Sequence, residues 1–236
     1  MIALRNANSR GQTRIGWLDS RHSFSFADYH DPEQMGWGPL RVLNDDRVAP
    51  GAGFPTHGHR DMEILTWVLE GALEHRDSLG TGSVIRPGEI QRMSAGRGIR
   101  HSEYNASRDQ PVHFLQIWIE TAQPCIEPGY AQTAIPAESL AGRLGLIASP
   151  DGRLGSISLH QDVLVHAARL SAGQRVSYAL PDRRLAYLHV AHGTLELNGQ
   201  ALAAGDGARI HDEATLDIVG RSDCELLLFE LPTPRH

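Results

Sequence analysis

Short apolar or alternating runs recur along the chain, at Leu40–Leu43, Ile64–Leu69, Val112–Ile119, Val163–Leu170, Leu185–Val190 and Glu225–Leu231. Runs of this length and texture suit strands with one or both faces buried. Pro50-Gly51, Pro87-Gly88, Pro150-Asp151-Gly152 and Asn198-Gly199 supply turn chemistry in the gaps between them. Regularly spaced short strands with such turns predict a sandwich or barrel. The helical signal is thin: Ala137–Leu144 suits a helix of about two turns, with Ser139 or Pro136 near its start.

The glycines repeat. Gly51, Gly71 and Gly88 punctuate the first half, and Gly173, Gly193 and Gly205 the second. The first interval is 20 residues in both halves, and the second is 17 against 12, as a shortened hairpin loop would produce. Leu73-Glu74 and Leu195-Glu196 follow the middle glycine in each set. Equal spacing implies equal strand corners and therefore an internal duplication. The boundary falls within residues 125–150, giving domains of residues 1–135 and 136–236.

Composition narrows the chemistry. The 236 residues carry a formal charge of −6, which gives no field for nucleic acid or anionic lipid. All 22 basic residues are Arg, which excludes a Schiff-base lysine and a P-loop. Cys125 and Cys224 are far apart in sequence, so a reduced cytoplasmic protein is the simpler reading. No apolar run approaches the roughly 20 residues that span a bilayer, and residues 1–18 lack the apolar core of a signal peptide.

Two triplets carry candidate chemistry. His57-Gly58-His59 follows a Gly/Pro-rich approach, and His101-Ser102-Glu103 follows Ser94-Ala95-Gly96-Arg97-Gly98. Thirteen histidines make a lone His-x-His uninformative. In a strand, however, residues i and i+2 share a face, so each triplet offers two ligands to one side. Two such strands facing one barrel interior would gather three imidazoles and a carboxylate, a set suited to Fe, Mn, Ni, Co or Zn with open positions for substrate or dioxygen.

These strings resemble a known family. Gly51-x5-His57-x-His59-x3-Glu63 is similar to the first cupin motif, and Gly88-x5-Ser94-Ala95-Gly96-x4-His101-x3-Asn105 to the second. Gly71 falls one place late, Ser94 stands where cupins usually have Pro, and the gap before His101 is long. Those departures, with Gly16–Phe26, Leu40–Asp46 and Met93–Glu103, resemble the pirin family in particular, over nearly the whole chain. The resemblance implies an all-β bicupin: two jelly-roll (double-stranded β-helix) barrels with one metal site in the first. It implies His57, His59, His101 and Glu103 as ligands, with Glu63 outside the set. The ion expected is one divalent cation per chain, Fe(II) first, with Cu, Mn, Ni, Co and Zn as alternatives.

Counting from the glycines, the ligand positions map onto Ala179, Pro181, Ile218 and Gly220, none of which coordinates metal, so the second barrel reads as scaffold or interface. His189, His192 and His211 lack paired spacing and read as structural or surface residues. Several pirin-like proteins resemble quercetin 2,3-dioxygenases, which open the central ring of a flavonol with O₂ and release CO. Glu103 is then both ligand and base, and Phe24, Phe26, Trp37, Phe54 and Met62 are pocket candidates, although barrel-core and interdomain packing is the plainer reading of any single one. The competing reading is a non-enzymatic, iron-dependent regulator that binds a protein partner through the same four ligands. A zinc-dependent hydrolase or isomerase shares the ligand types too.

Overall fold

Each apolar run lies in, or within one residue of, a strand of the computed structural model, which describes residues 1–233. Strands account for 58% of residues and helix for 4%. The first half contributes β1 (Ile2–Arg5), β2 (Gly11–Ile15), β3 (Leu18–His22), β4 (Leu40–Val48), β5 (Gly53–His59) and β6 (Met62–Glu70). It continues with β7 (Leu73–Asp77), β8 (Gly82–Ile85), β9 (Glu89–Ser94), β10 (Ile99–Asn105), β11 (Val112–Glu120) and β12 (Gly129–Ala134). The second half contributes β13 (Gly145–Ser149), β14 (Ile157–Ser158), β15 (Leu164–Leu170), β16 (Arg175–Ala179) and β17 (Arg184–His192). It ends with β18 (Thr194–Leu197), β19 (Gln200–Ala203), β20 (Gly207–Ile210), β21 (Thr215–Gly220) and β22 (Cys224–Pro232).

The duplication is explicit in the sheet order. The seven-stranded sheet β12-β9-β6-β11-β4-β3-β2 and the four-stranded sheet β5-β10-β7-β8 form the first barrel. Their counterparts are β1-β20-β17-β22-β15-β13-β14 and β16-β21-β18-β19. The corner glycines correspond as well. Gly71 and Gly193 take φ of +78° and +73°, and a Cβ there would come within 2.7 Å of the Pro111 carbonyl or 2.1 Å of the Asp223 carbonyl. Only glycine fits either corner without strain.

Alternation along the strands sends side chains to two cores. Val68, Leu73, Ile85, Val112 and Phe114 fill the first barrel between its two sheets. The intervening residues Leu65, Trp67, Leu115 and Ile117 pack outward against Ile147, Val165, Tyr187, Leu227 and Phe229 of the second half. The large sheets therefore stack back to back and are buried on both faces, which explains near-continuous apolar runs where a one-sided sheet would alternate. Strand β1 pairs antiparallel with β20, so residues 2–5 extend the sheet of the second barrel. The helix is a single turn, Ala137–Leu140: Ala141 bridges to Arg169 and Gly142 turns left-handed at φ +67°, which ends it. Cys125 and Cys224 are both free. Among the described residues no helix is long and apolar enough to cross a membrane.

Candidate metal centre and adjoining cavity

The two triplets fall on neighbouring strands. β5 runs antiparallel to β10 with His57 opposite His101 and His59 opposite Ile99. A bulge between His101 and Glu103 shifts the register with β5 by one residue, the kind of irregularity that re-aims a side chain. His57, His59 and His101 present ring nitrogens that all lie within 4.8 Å of one another. The His57 and His101 Nε2 atoms are 3.0 Å apart. His57 Nδ1 donates to the Pro55 carbonyl at 2.8 Å, which leaves its Nε2 bare. The His59 ring packs edge-on against Trp118, with centroids 4.8 Å apart.

Glu103 is 1% exposed. Its Oε2 accepts from Gln116 Nε2 at 2.7 Å, while Oε1 is buried without a partner among the described residues. The carboxylate groups within 4.8 Å with His101 and with His75 of β7, a residue the motif reading missed. Its signal was in the sequence: His75-Arg76-Asp77 shows the same i, i+2 alternation as His57-Gly58-His59. Glu63 stands apart, buried and accepting the His160 backbone N–H at 3.3 Å.

Burial sets the protonation states. The imidazoles of His59 and His101 are both pushed down to about 3, His59 by burial and by the charges of His101 and His57, His101 by burial and by His57 and His75. Both rings are neutral at physiological pH, the state a metal ligand needs. Burial pushes the Glu103 carboxyl up, against the pull of the Gln116 hydrogen bond and of His75 and His57. The donor chemistry suits a divalent first-row ion: three imidazoles and a buried carboxylate with one uncommitted oxygen.

A cavity of about 270 Å³ ends on His57 and Glu103. Apolar Ile15, Trp17, Leu18, Phe26, Phe54 and Trp118 line it together with polar Ser20, His22, Asn44, Asp46 and Gln116. The polar lining is internally bonded. His22 Nδ1 meets Asn44 Oδ1 at 2.8 Å, His22 Nε2 meets Thr13 Oγ1 at 2.9 Å, and Ser20 donates to Asp46. Of the aromatic and Met candidates, Phe26 and Phe54 line this cavity and the other three do not. Phe24 is buried between the barrels against Tyr187, with ring centroids 5.2 Å apart. Trp37 donates Nε1–H to the Ala186 carbonyl at 2.9 Å, and Met62 packs beside Ile64, Met93, Ala95 and Ile99. Phe24 and Phe26 would share a face in a strand, but the chain leaves β3 at His22 and turns through the Phe26–Tyr29 bridge, which parts them.

Comparison with known proteins agrees with this architecture. The family model described as Pirin matches residues 3–119, and that of the quercetinase C-terminal cupin domain matches residues 146–231. The chain is 46% identical to a quercetin 2,3-dioxygenase of Escherichia coli (strain K12), over 98% of this chain and 99% of that one. It is 42% identical to a pirin-like protein of Caulobacter vibrioides, over 98% and 99%. The crystal structure of the bacterial pirin YhhW of E. coli in complex with nickel(II) superimposes with a TM-score of 0.95 at 45% identity, over 99% of this chain and all of that one. Matched along nearly its whole length in sequence, strand order and barrel pairing, this chain belongs to the pirin family of bicupins.

Proposed function

We propose that this chain is a metal-dependent dioxygenase that opens the central ring of flavonols such as quercetin, with His57, His59, His101 and Glu103 holding one divalent cation. The observation that carries the reading is the cavity of about 270 Å³ with aromatic walls that ends on His57 and Glu103. Homologues matched over 98% of this chain and 99% of their own length bear the name of this oxidoreductase. A regulator that used the same ligands would need no such cleft, so the geometry favours the enzyme.

A cation held by these donors supplies Lewis-acid polarisation of a substrate hydroxyl. The protein does the rest. Glu103 Oε1, without a partner among the described residues, accepts the flavonol hydroxyl proton, and burial makes it a stronger base than an exposed glutamate. Gln116 keeps the carboxylate oriented through the other oxygen. Trp17, Phe26, Phe54 and Trp118 clasp a flat ring system and exclude water, while Ser20, Asn44 and Asp46 offer hydrogen bonds to its peripheral hydroxyls. Fe(II) is the first assignment for the ion, and the same donors accept Ni, Co, Mn, Cu or Zn. Free Cys125 and Cys224 fit a reducing compartment such as the cytoplasm.

The test is anaerobic purification with metal analysis, followed by aerobic turnover of quercetin. Flavonol loss matched by O₂ consumption and CO release is the expected result. A metal-replete protein that leaves the flavonol intact would return the assignment to the regulatory reading.

A further inference from the structure

His101 shows its two ring nitrogens to different neighbours. Nε2 faces His57 at 3.0 Å, and Nδ1 faces His75 Nδ1 at 3.4 Å. The chain of contacts continues: His75 Nε2 lies 3.2 Å from Asp77 Oδ2, and both side chains are wholly buried. The β7–β10 register builds this line by pairing His75 with Glu103 and Asp77 with His101. Each end is braced. Asp77 Oδ1 accepts the backbone N–H groups of Leu79 at 2.8 Å and Thr81 at 3.0 Å, and the Tyr130 ring stacks on His75 with centroids 4.8 Å apart.

One assignment, with a single proton on each ring, satisfies both contacts from Asp77 to His101 and leaves the facing Nε2 atoms of His57 and His101 bare, as an ion between them would require. Asp77 Oδ2 offers a carboxylate oxygen to His75 Nε2, so His75 donates from Nε2 and keeps a bare Nδ1. That bare nitrogen only accepts, so His101 donates from Nδ1 and keeps a bare Nε2. The His101 lone pair then aims at the point toward which His57 Nε2 also turns, and His57 reaches the same tautomer independently through Pro55. Imidazole ligands commonly need such an acceptor on the nitrogen that does not bind metal.

We propose that His75 and Asp77 are positioning residues that lock His101 in its Nδ1–H tautomer and so prepare Nε2 as a ligand. The proposal rests on His101 being a ligand, as proposed above, but the tautomer can be read without any ion. If His75 were itself a ligand, grouped with His101 and Glu103 within 4.8 Å, His101 would have to bind through Nδ1, so the two roles exclude each other.

The experiment combines ¹⁵N NMR of histidine-labelled, metal-free full-length protein with Ni(II) and Co(II) affinities from chelator competition. In wild type, His101 should be the Nδ1–H tautomer. His75→Phe keeps the ring and its stack on Tyr130 but removes the acceptor, so His101 should become a tautomer mixture and Ni(II) binding should weaken by about 10–100-fold. His75→Asn restores an acceptor oxygen near the lost nitrogen and should recover part of both signals. Asp77→Asn, whose Oδ1 keeps the turn contacts, turns a donor toward His75 Nε2, should push His101 toward the Nε2–H tautomer, and serves if His75→Phe fails to fold. An Nε2–H tautomer in wild type, or unchanged tautomer and affinity in the variants, would overturn the proposal. So would a Co(II) spectrum that loses one nitrogen donor in His75→Phe, because His75 is then a ligand. Wild-type affinity in His101→Ala would instead sink the ligand reading while leaving the tautomer result to stand or fall by itself.

Discussion

Glu103 and Ile218 occupy corresponding places in the two barrels. Glu103 pairs across β5 with Phe54, and Ile218 pairs across β16 with Val176. The inward alternation of β10, His101-Glu103-Asn105, then matches Leu216-Ile218-Gly220 of β21. Counting from the glycines set Ile218 against His101 and Gly220 against Glu103, two residues too far, because the shorter second-half hairpin breaks the count. With register in place of counting, the first barrel turns polar donors inward, while the second fills the same space with Leu188, Leu195, Leu197, Leu216, Ile218 and Leu228, all fully buried. Backbone plan and side-chain content are thus separable. The sheet ladders and corner glycines build a barrel either way, and the interior is free to carry a site or a close-packed core.

Breaking the donor set should have the largest effect. His57→Ala and His101→Ala are expected to abolish tight metal binding and flavonol turnover while the fold persists, because the barrel is held by the apolar residues around Val68 and Phe114. Metal analysis should read one ion per wild-type chain, and a content near two would erase the contrast between the barrels. Glu103→Gln sharpens it: metal should remain on three imidazoles, while turnover falls by at least about 10²-fold and partly recovers at higher pH.

The reciprocal substitution probes the other barrel. Ile218→Glu puts an unpaired carboxylate among leucines and should cost about 3 kcal/mol or more by urea unfolding, with metal content unchanged. Glu103→Leu removes a buried charge and should hold or raise stability while ending activity. Equal responses at the two positions would mean that the interiors are not as different as their side chains.

A subtler contrast lies within β4, where successive aspartates face opposite sides. Asp46, turned to the cavity, is pushed up to about 7 by burial, with Asp45 and Glu103 adding to the rise and the Ser20 hydrogen bond opposing it. At Asp45, burial acts upward too, but the His113 hydrogen bond and the charges of His113 and Arg10 override it and hold the carboxyl well below the usual range. The consequences have opposite signs. Asp45 contributes stability above its unfolded value of 3.8, which is lost as pH falls below that value. Asp46 keeps its proton in the fold while the unfolded chain releases it, so its effect is fully favourable below 3.8 and disappears as pH rises to about 7. Asp46→Asn should therefore gain on wild type by roughly 2 kcal/mol between pH 5 and pH 7. The smallest effect expected is for Trp37→Phe, which removes the interbarrel hydrogen bond to Ala186 and should cost about 1 kcal/mol.

By itself the sequence determined the strand texture, the duplicated corners at Gly71 and Gly193, and the two triplets, because each is local. Alternation, positive φ and i, i+2 spacing act over a few residues and leave their mark wherever they act. It also carried the pirin resemblance. What it left undecided depends on contacts distant in the chain. The pairing of β1 with β20, the burial of Phe24 against Tyr187, and the cavity wall made by Asn44, Asp46 and Gln116 arise only when sheets close and stack. His75 shows the boundary most clearly. Its spacing to Asp77 was visible, but its meaning comes from the cross-strand register that sets it beside Glu103 and brings its Nδ1 to His101. Register is a property of a strand pair, fixed by burial of whole faces, and no single strand encodes it.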